Sequence, residues 1–158
     1  MVDQLILALT LLSALGCGLV AGAFFAFSSF VMKALARLPP AQGLAAMQSI
    51  NVVVLNPWFL GVFVGTAAAC VLAVICAFLR WHEPSAIYLL LGGALYLIGT
   101  FAVTALFNVP RNDALAKLAP DDPRSASMWA EYVAGWTNWN HVRTVASLVA
   151  TALFSLAL

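Results

Sequence analysis

The sequence predicts an all-α integral membrane protein, built as one four-helix bundle with a short extra helix in its first cytoplasmic connection. Of the 158 residues, 64% are hydrophobic and only 8% are charged, whereas soluble domains carry about 25% charged residues. Four stretches are nearly free of charge, and each approaches or exceeds the roughly 20 residues that a crossing needs. We place the spans at about 4–32, 57–79, 86–107 and 136–158 of a single domain, 1–158.

The first span contains Gly18, Gly22 and Ala26 at a spacing of four residues. Small residues at this spacing are typical of a helix face that lets another helix approach closely. The segment "RLPPAQG" ends this helix, and "LAAMQSIN" after it is expected to form a short helix. Asn56 and Pro57 have the residue types that cap and open a helix, so the second span should begin there.

The basic residues predict which side of the membrane each connection faces. Among the basic residues, only Arg80 is predicted on the side that holds the two termini and the short turn between the second and third spans. The positive-inside rule therefore places the two longer connections in the cytoplasm and both termini outside the cell membrane. Five basic residues support this orientation: Lys33, Arg37, Arg111, Lys117 and Arg124.

The third span carries a polar stripe that leads toward the cytoplasmic end. Residues four positions apart drift only about 40° around a helix, so Tyr96, Thr100, Thr104 and Asn108 should share one face. The stripe leads into "NVPRNDALAKL", where Pro110 is expected to end or kink the helix.

The fourth span reaches full length only if it includes the polar segment "WTNWNHVRT". On a helix, Trp136, Asn140, Arg143 and Thr144 fall within a sector of about 100°. An arginine left to lipid at the helix centre costs at least about 2.5 kcal/mol. That sector should therefore face the interior of the bundle, with His141 at its edge.

The polar groups of the third and fourth spans converge at one end and suggest a buried site. Its predicted members are Asn108, Asn112, Asp113, Asn140, His141 and Arg143, walled by Trp136 and Trp139, with Tyr96 and Thr100 further along the stripe. Ionisable groups inside a membrane are functional hypotheses by default. Two structural alternatives stay open: Arg143 could pair with Asp113 only to hold the helix ends, and the tryptophans could form an interfacial belt.

Metal, nucleotide and nucleic-acid sites fit the sequence poorly. The two histidines, His82 and His141, are predicted on opposite sides of a hydrocarbon layer about 30 Å thick. No closely spaced pair of metal ligands and no glycine-rich phosphate loop occurs. No basic stripe is present to meet phosphates. We therefore expect no metal, no organic cofactor and no nucleic-acid partner.

The order of four motifs resembles the DUF1772 or anthrone oxygenase-like family of small four-helix membrane proteins. The motifs are "AGAFFAFSSFVMKALARLPPAQGLAAMQSIN", "NP", "NVPRNDALA" and "W..WNHVRT", which together extend over most of the chain. The resemblance implies oxidation of an anthrone-like aromatic to an anthraquinone by O2 as co-substrate, without metal or flavin.

This chemistry needs a base, an anion-stabilising group and a dry aromatic pocket. With it, His141 is the predicted base and Arg143 the cation that faces the oxyanion. Asp113 would orient His141 or pair with Arg143. The frame that binds substrate is predicted from Asn108, Asn112, Asn140, Trp136, Trp139, Tyr96 and Thr100.

The alternative function is a non-enzymatic membrane protein that binds, assembles with or carries a small hydrophobic molecule. A carrier would favour polar groups near the bilayer midplane or an internal repeat. Here the polar groups lie at one end and no repeat is visible, which favours the enzyme. The predicted partners are a small hydrophobic aromatic substrate and membrane lipids, and the sequence leaves a homo-oligomer open.

Overall fold

The structure, a computed structural model, describes residues 2–119 and 122–158, and this part of the chain is helical with no strand. Three of its helices are long and apolar enough to cross a membrane. The predicted all-α fold is thereby confirmed for this part of the chain, and the three apolar helices indicate a membrane protein. The helices described are α1 (Val2–Leu35), α2 (Pro40–Val53), α3 (Pro57–Leu79), α4 (Ala86–Ala116) and α5 (Ser125–Leu156).

The helix α5 differs from the three apolar helices. It has 32 residues and begins at Ser125, well before Trp136. At 1.5 Å per residue it is roughly 48 Å long, which exceeds the bilayer core. It does not reach the apolarity of α1, α3 and α4, because the segment around Asn140, His141 and Arg143 is polar. A fourth membrane crossing stays a prediction.

The four long helices pack side by side, each on two others. Helix α1 packs on α3 and α5, and α4 packs on the same two helices. The shared core includes Cys17, Val20, Cys70, Tyr96 and Phe154, all at most 1% exposed. Helix α2 covers one end, where it packs on α5 and on the last turns of α4.

The ends of the helices are arranged as the sequence predicts. Arg80 Nη1 lies 2.7 Å from Asp3 Oδ1, so the start of α1 is next to the turn between α3 and α4. The predicted short helix lies within α2. Asn56 caps α3, because its Oδ1 accepts hydrogen bonds from the amides of Trp58 and Phe59 at 3.1 and 3.0 Å.

Two of the long helices contain π-helical turns. These turns span Phe27–Val31 in α1, and Leu95–Ala102 and Thr104–Asn108 in α4. The expectation that Pro110 ends or kinks the helix is wrong in one respect, since α4 continues through it to Ala116. The π-turn just before Pro110 already shifts the backbone hydrogen bonds, so the missing proline amide interrupts no regular ladder.

Glycines allow close helix contacts, but not all on the predicted face. A Cβ at Gly18 would make ordinary contact with Thr151, whereas a Cβ at Gly22 would meet nothing within 4 Å. The tight approaches lie elsewhere. A Cβ at Gly93 would lie 2.9 Å from the Cys70 carbonyl oxygen and 2.7 Å from Val74 Cγ2.

Replacement of Gly93 by alanine is expected to destabilise the protein by about 1–3 kcal/mol, because α4 would have to move away from the backbone of α3. Gly61→Ala on α3 is the matched control, since a Cβ there meets nothing within 4 Å. Thermal unfolding in detergent measures both variants. Equal melting temperatures for the two would contradict the close contact between α3 and α4.

Candidate functional site

A buried arginine lies at the centre of the polar end of the bundle. Arg143 is 3% exposed. Its Nη2 donates to Asn140 Oδ1 at 2.7 Å, and its Nη1 donates to Thr104 Oγ1 at 3.2 Å. Among residues 2–119 and 122–158, no carboxylate lies within 4.0 Å of this guanidinium. The cation is thus held by neutral oxygens.

Two aromatic rings flank the same guanidinium. Arg143 Cζ lies 4.0 Å from the ring centroid of Phe24 and 5.0 Å from that of Trp136. Contacts of this kind stabilise a desolvated cation by about 2 kcal/mol. They also close the space around Arg143, so an additional ring cannot stack on it in this arrangement.

Asn140 connects α5 to the π-helical turn of α1. It is fully buried, and its Nδ2 donates to the Phe24 carbonyl at 2.8 Å and to Ser28 Oγ at 2.7 Å. A π-turn moves the backbone pairing from i→i+4 to i→i+5. The side chain of Asn140 supplies a donor to a carbonyl next to that shift, and its own polar atoms are all used.

The direction of the Ser28–Thr144 hydrogen bond follows from counting protons. Thr144 Oγ1 donates its one proton to the Asn140 carbonyl at 2.8 Å. Ser28 must therefore be the donor across the 3.1 Å that separates Ser28 Oγ from Thr144 Oγ1. A continuous chain of hydrogen bonds results, running from Arg143 through Asn140 and Ser28 to Thr144.

Several buried polar atoms at this end have no hydrogen-bond partner in the described part of the chain. Asn108 is 1% exposed, and its Nδ2 donates to the Trp136 carbonyl at 3.2 Å while its Oδ1 is unpaired. Each such atom costs about 1–3 kcal/mol, and their concentration is typical of a region that binds water or a ligand. The others at this end are Asn51 Nδ2, Trp136 Nε1, Thr137 Oγ1 and Arg143 Nε.

Asn112 lies further toward α2. Its Oδ1 accepts a hydrogen bond from the Tyr132 hydroxyl at 2.8 Å. The Tyr132 ring stacks between Trp129 and Trp136, with centroid distances of 5.7 and 6.4 Å. Sequence reasoning missed Tyr132, although its position four residues before Trp136 places it on the same helix face.

Three further predicted residues lie in contacts between helices. Trp139 stacks on Phe107 with a centroid distance of 3.7 Å. The Tyr96 hydroxyl donates to the Phe63 carbonyl at 2.9 Å, and Thr100 Oγ1 lies 2.8 Å from Ser147 Oγ. Thr100 reaches the backbone carbonyl of Arg143, at 3.4 Å.

The structure does not bring Asp113 or His141 to the buried cation. Both are exposed, and the expected meeting of six polar residues between the helices is therefore wrong for these two. The reason is helix geometry. Each follows an inward-facing asparagine, Asn112 or Asn140, and consecutive residues are turned about 100° apart. Asp113 and Arg143 accordingly form no ion pair.

His141 instead lines an open cleft of about 290 Å³ between α1 and α5. Ser28 also lines this cleft, so the hydrogen-bond chain that begins at Arg143 reaches the cleft wall at Ser28. Sequence reasoning missed Ser28 as well. Its only signal was a pair of serines within a long apolar helix. The full lining is Ser28, Met32, Lys33, Ala36, Val133, Ala134, Thr137, Asn138 and His141.

Within the described ranges, no three His, Cys, Asp or Glu side chains lie close enough together to hold a metal ion. His141 and Asp113 form no ion pair with each other. The side chains that surround Arg143 are amides, hydroxyls and aromatic rings, which bind organic oxygens by hydrogen bonds and apolar rings by contact.

A family model described as "Anthrone oxygenase" matches residues 58–153, which is more than half of the chain. No curated protein and no solved structure matches. The matched segment contains α3, α4 and most of α5, including Asn108, Asn140 and Arg143. The α1 side of the cleft, with Ser28 and Lys33, lies outside it.

Proposed function

Because the chain belongs to the anthrone oxygenase family, we propose that it is a membrane-embedded oxygenase that acts on a flat hydrophobic aromatic of the anthrone type. O2 is the co-substrate, and no metal or organic cofactor takes part. The observation that supports this most is Arg143, a buried cation without a carboxylate partner in the described chain, connected by hydrogen bonds to an open cleft.

The cleft between α1 and α5 is the proposed substrate site. Its volume of about 290 Å³ is close to the lower end of the roughly 300–1,000 Å³ typical of small-molecule sites. Met32, Ala36, Val133 and Ala134 offer apolar contacts for a ring system. Because the cleft opens on the outer surface of the helices, an aromatic dissolved in the membrane would enter it laterally from the bilayer.

The proposed reaction begins with removal of a proton from the methylene carbon of the anthrone. The resulting enolate transfers electrons to O2, and a carbon–oxygen bond forms to give a hydroperoxide. Loss of water then leaves the second carbonyl. One anthrone and one O2 give one anthraquinone and one water, so the substrate supplies all the electrons.

His141 is the proposed base, because it is the titratable imidazole that lines the cleft. Thr137 lines the cleft, and its buried hydroxyl, which has no partner in the described chain, would turn toward the enolate oxygen and donate a hydrogen bond to it. Arg143 would act as a positioning residue. Its charge polarises Asn140 and Ser28, and hydrogen bonds in a chain strengthen one another in a low-dielectric interior.

The other predicted residues would support this arrangement from behind. We propose that Asn108 and Trp136 hold the second side of Arg143, and that Asn112, through Tyr132, keeps α4 and α5 in register. Trp139, Tyr96 and Thr100 would act through helix packing. Asp113 has no role in this proposal, since it faces solvent.

The placement in the membrane is part of the same proposal. Helix α5 would be the fourth crossing, with Arg143 facing inward as the cost of an arginine in lipid requires. The connections that contain α2 and the end of α4 would face the cytoplasm, and both termini the outside. The candidate site would then lie near the cytoplasmic surface.

The closed packing around Arg143 favours a second candidate, a non-enzymatic protein that binds a small hydrophobic molecule. With Arg143 only 3% exposed, no ligand touches its guanidinium directly in this arrangement. A binding protein would take up the aromatic in the same cleft and release it unchanged.

Oxygen uptake by the purified protein in detergent, with an anthrone as substrate, separates the two candidates. The oxygenase should consume one O2 per anthraquinone formed, and a chelator should not change the rate. Protein-free micelles at the same pH are the control, because anthrones also oxidise without a catalyst. Saturable binding with oxygen uptake no faster than in that control would favour the binding protein.

A further inference from the structure

The cleft between α1 and α5 contains a cation that the proposed reaction does not use. Lys33 is exposed and lines the cleft. No Asp or Glu is among the lining residues. In the described ranges, no carboxylate lies within 4.0 Å of its ammonium group. A positive charge thus faces an apolar groove without a protein counter-ion.

The polar groups of the cleft lie at separate levels along α1. Lys33 follows Ser28 by five residues, which is at most about 7.5 Å along the axis at the α-helical rise of 1.5 Å per residue. Met32, Ala36 and the α5 residues Val133 and Ala134 provide the apolar lining. A rigid molecule of two or three fused rings would extend over this distance.

The proton count at the inner level defines what Ser28 can bind. Its hydroxyl proton goes to Thr144, and one of its lone pairs accepts from Asn140. Only a lone pair remains, so Ser28 can accept a hydrogen bond from a ligand but has no proton to donate. Thr137 also lines the cleft, and its buried, unpartnered hydroxyl can donate once the side chain turns toward the ligand. Together they match a ring that carries a hydroxyl next to a carbonyl.

We propose that the cleft binds an aromatic acid: a fused-ring compound whose ionised carboxylate pairs with Lys33 while its hydroxyl and carbonyl groups face Ser28 and Thr137. This inference rests on the proposed function only for the aromatic character of the ligand. The charge and the hydrogen-bonding pattern come from the side chains of the cleft. Lys33 is thereby a residue that determines specificity.

The test compares binding of an anthraquinone carboxylate with binding of its neutral carboxamide, measured by calorimetry without oxygen in nanodiscs of phosphatidylcholine. The wild-type protein should bind the acid roughly tenfold more tightly, the effect of one partly shielded ion pair. Lys33→Met should remove this preference without weakening the amide. Lys33→Arg should keep it.

Lys117→Met is the matched control, because Lys117 is an exposed cation at the same end of the bundle that does not line the cleft. Its preference for the acid should equal that of the wild type. Equal affinities for acid and amide in the wild type would overturn the proposal. So would a preference that survives in Lys33→Met.

A phospholipid phosphate could supply the same anionic chemistry, and a second set of nanodiscs distinguishes it. Phosphatidylglycerol should leave the affinity for the acid nearly unchanged. If it displaces the acid from the wild type but not from Lys33→Met, the natural anion is a lipid headgroup and the aromatic-acid proposal is wrong. The binding test does not measure turnover, so the two proposals can fail separately. If the acid binds here but the oxygen-uptake assay shows no turnover, the oxygenase is overturned and the specificity of the cleft still stands.

Discussion

Arg143→Met is expected to lower kcat for anthrone oxidation by about 10²-fold, the loss that a displacement of about 1 Å can cause, because Arg143 holds Asn140 and, through it, the Ser28 wall of the cleft. The protein should still fold. Arg143 has no carboxylate partner in the described chain, so its removal strands no opposite charge. Its loss leaves two neutral acceptors, Asn140 Oδ1 and Thr104 Oγ1, without a donor.

The two lost hydrogen bonds are offset in part, because a cation no longer has to be kept out of water. We expect a net change in the free energy of unfolding below about 2 kcal/mol. Arg143→Lys should not restore turnover, since an ammonium cannot reproduce two fixed guanidinium contacts. Steady-state kinetics and thermal unfolding measure these effects. The loss should fall on kcat rather than KM, because Arg143 acts through Asn140 and Ser28.

Asp113→Asn provides the contrast for Arg143. If Arg143 only held the helix ends by pairing with Asp113, the single aspartate change would destabilise the protein and the double change would restore it. With Asp113 exposed, both stability and turnover of Asp113→Asn should match the wild type. Full oxygen uptake by a well-folded Arg143→Met variant would refute the role proposed for Arg143.

His141→Ala is expected to reduce turnover by about 10²-fold or more while leaving ligand binding largely intact, as expected for loss of a general base. Because His141 is exposed in the cleft, its removal creates no buried cavity, and the melting temperature should stay within the range of surface substitutions. Oxygen uptake and calorimetric binding, measured on the same preparation, separate the two effects.

Added imidazole should partly restore turnover of His141→Ala, since the cleft is open to small molecules. His82→Ala is the control, because His82 lies in the turn at the opposite end of the helices. If turnover of His141→Ala equals that of the wild type, the proton leaves to bulk solvent or to another group, and the cleft loses its proposed base.

The inward polar face of α5 could be predicted from the sequence, because helix periodicity and the cost of charge in lipid both act locally. Asn140, Arg143, Thr144 and Ser147 are all buried. The same reasoning placed the stripe of α4 correctly at Tyr96, Thr100 and Asn108.

The partners of that face could not be predicted. Ser28 meets Asn140 across 112 positions of sequence, and no local pattern encodes such a pairing. Two predicted site residues also lie away from the buried cation. His141 and Asp113 are each one residue from an inward-facing asparagine, and a rotation of about 100° decides between interior and surface.

The π-helical turns could not be predicted from a hydrophobic period of 3.6 residues, which assumes a regular α-helix. They explain why Pro110 lies within α4 rather than ending it. The predicted close helix contact at Gly22 is absent for a related reason. The spacing of small residues identifies a stripe on one helix but not the helix that packs against it. The contact at Gly93 depends on the backbone position of α3, which the sequence of α4 does not contain.

The π-turn of α1 also divides that helix into two segments whose side chains point in different directions around the helix axis. One extra residue per turn rotates everything after it by about 100° relative to an uninterrupted α-helix. Before the turn, Cys17, Val20 and Phe24 face the core; after it, Met32 and Lys33 are aimed at α5. Removing one residue between positions 27 and 31 would convert the π-turn to α-helix and give α1 one continuous rotation of its side chains. The segment before the turn would keep its packing in the core. The segment after it would turn Lys33 and the apolar side chains that line the cleft away from α5.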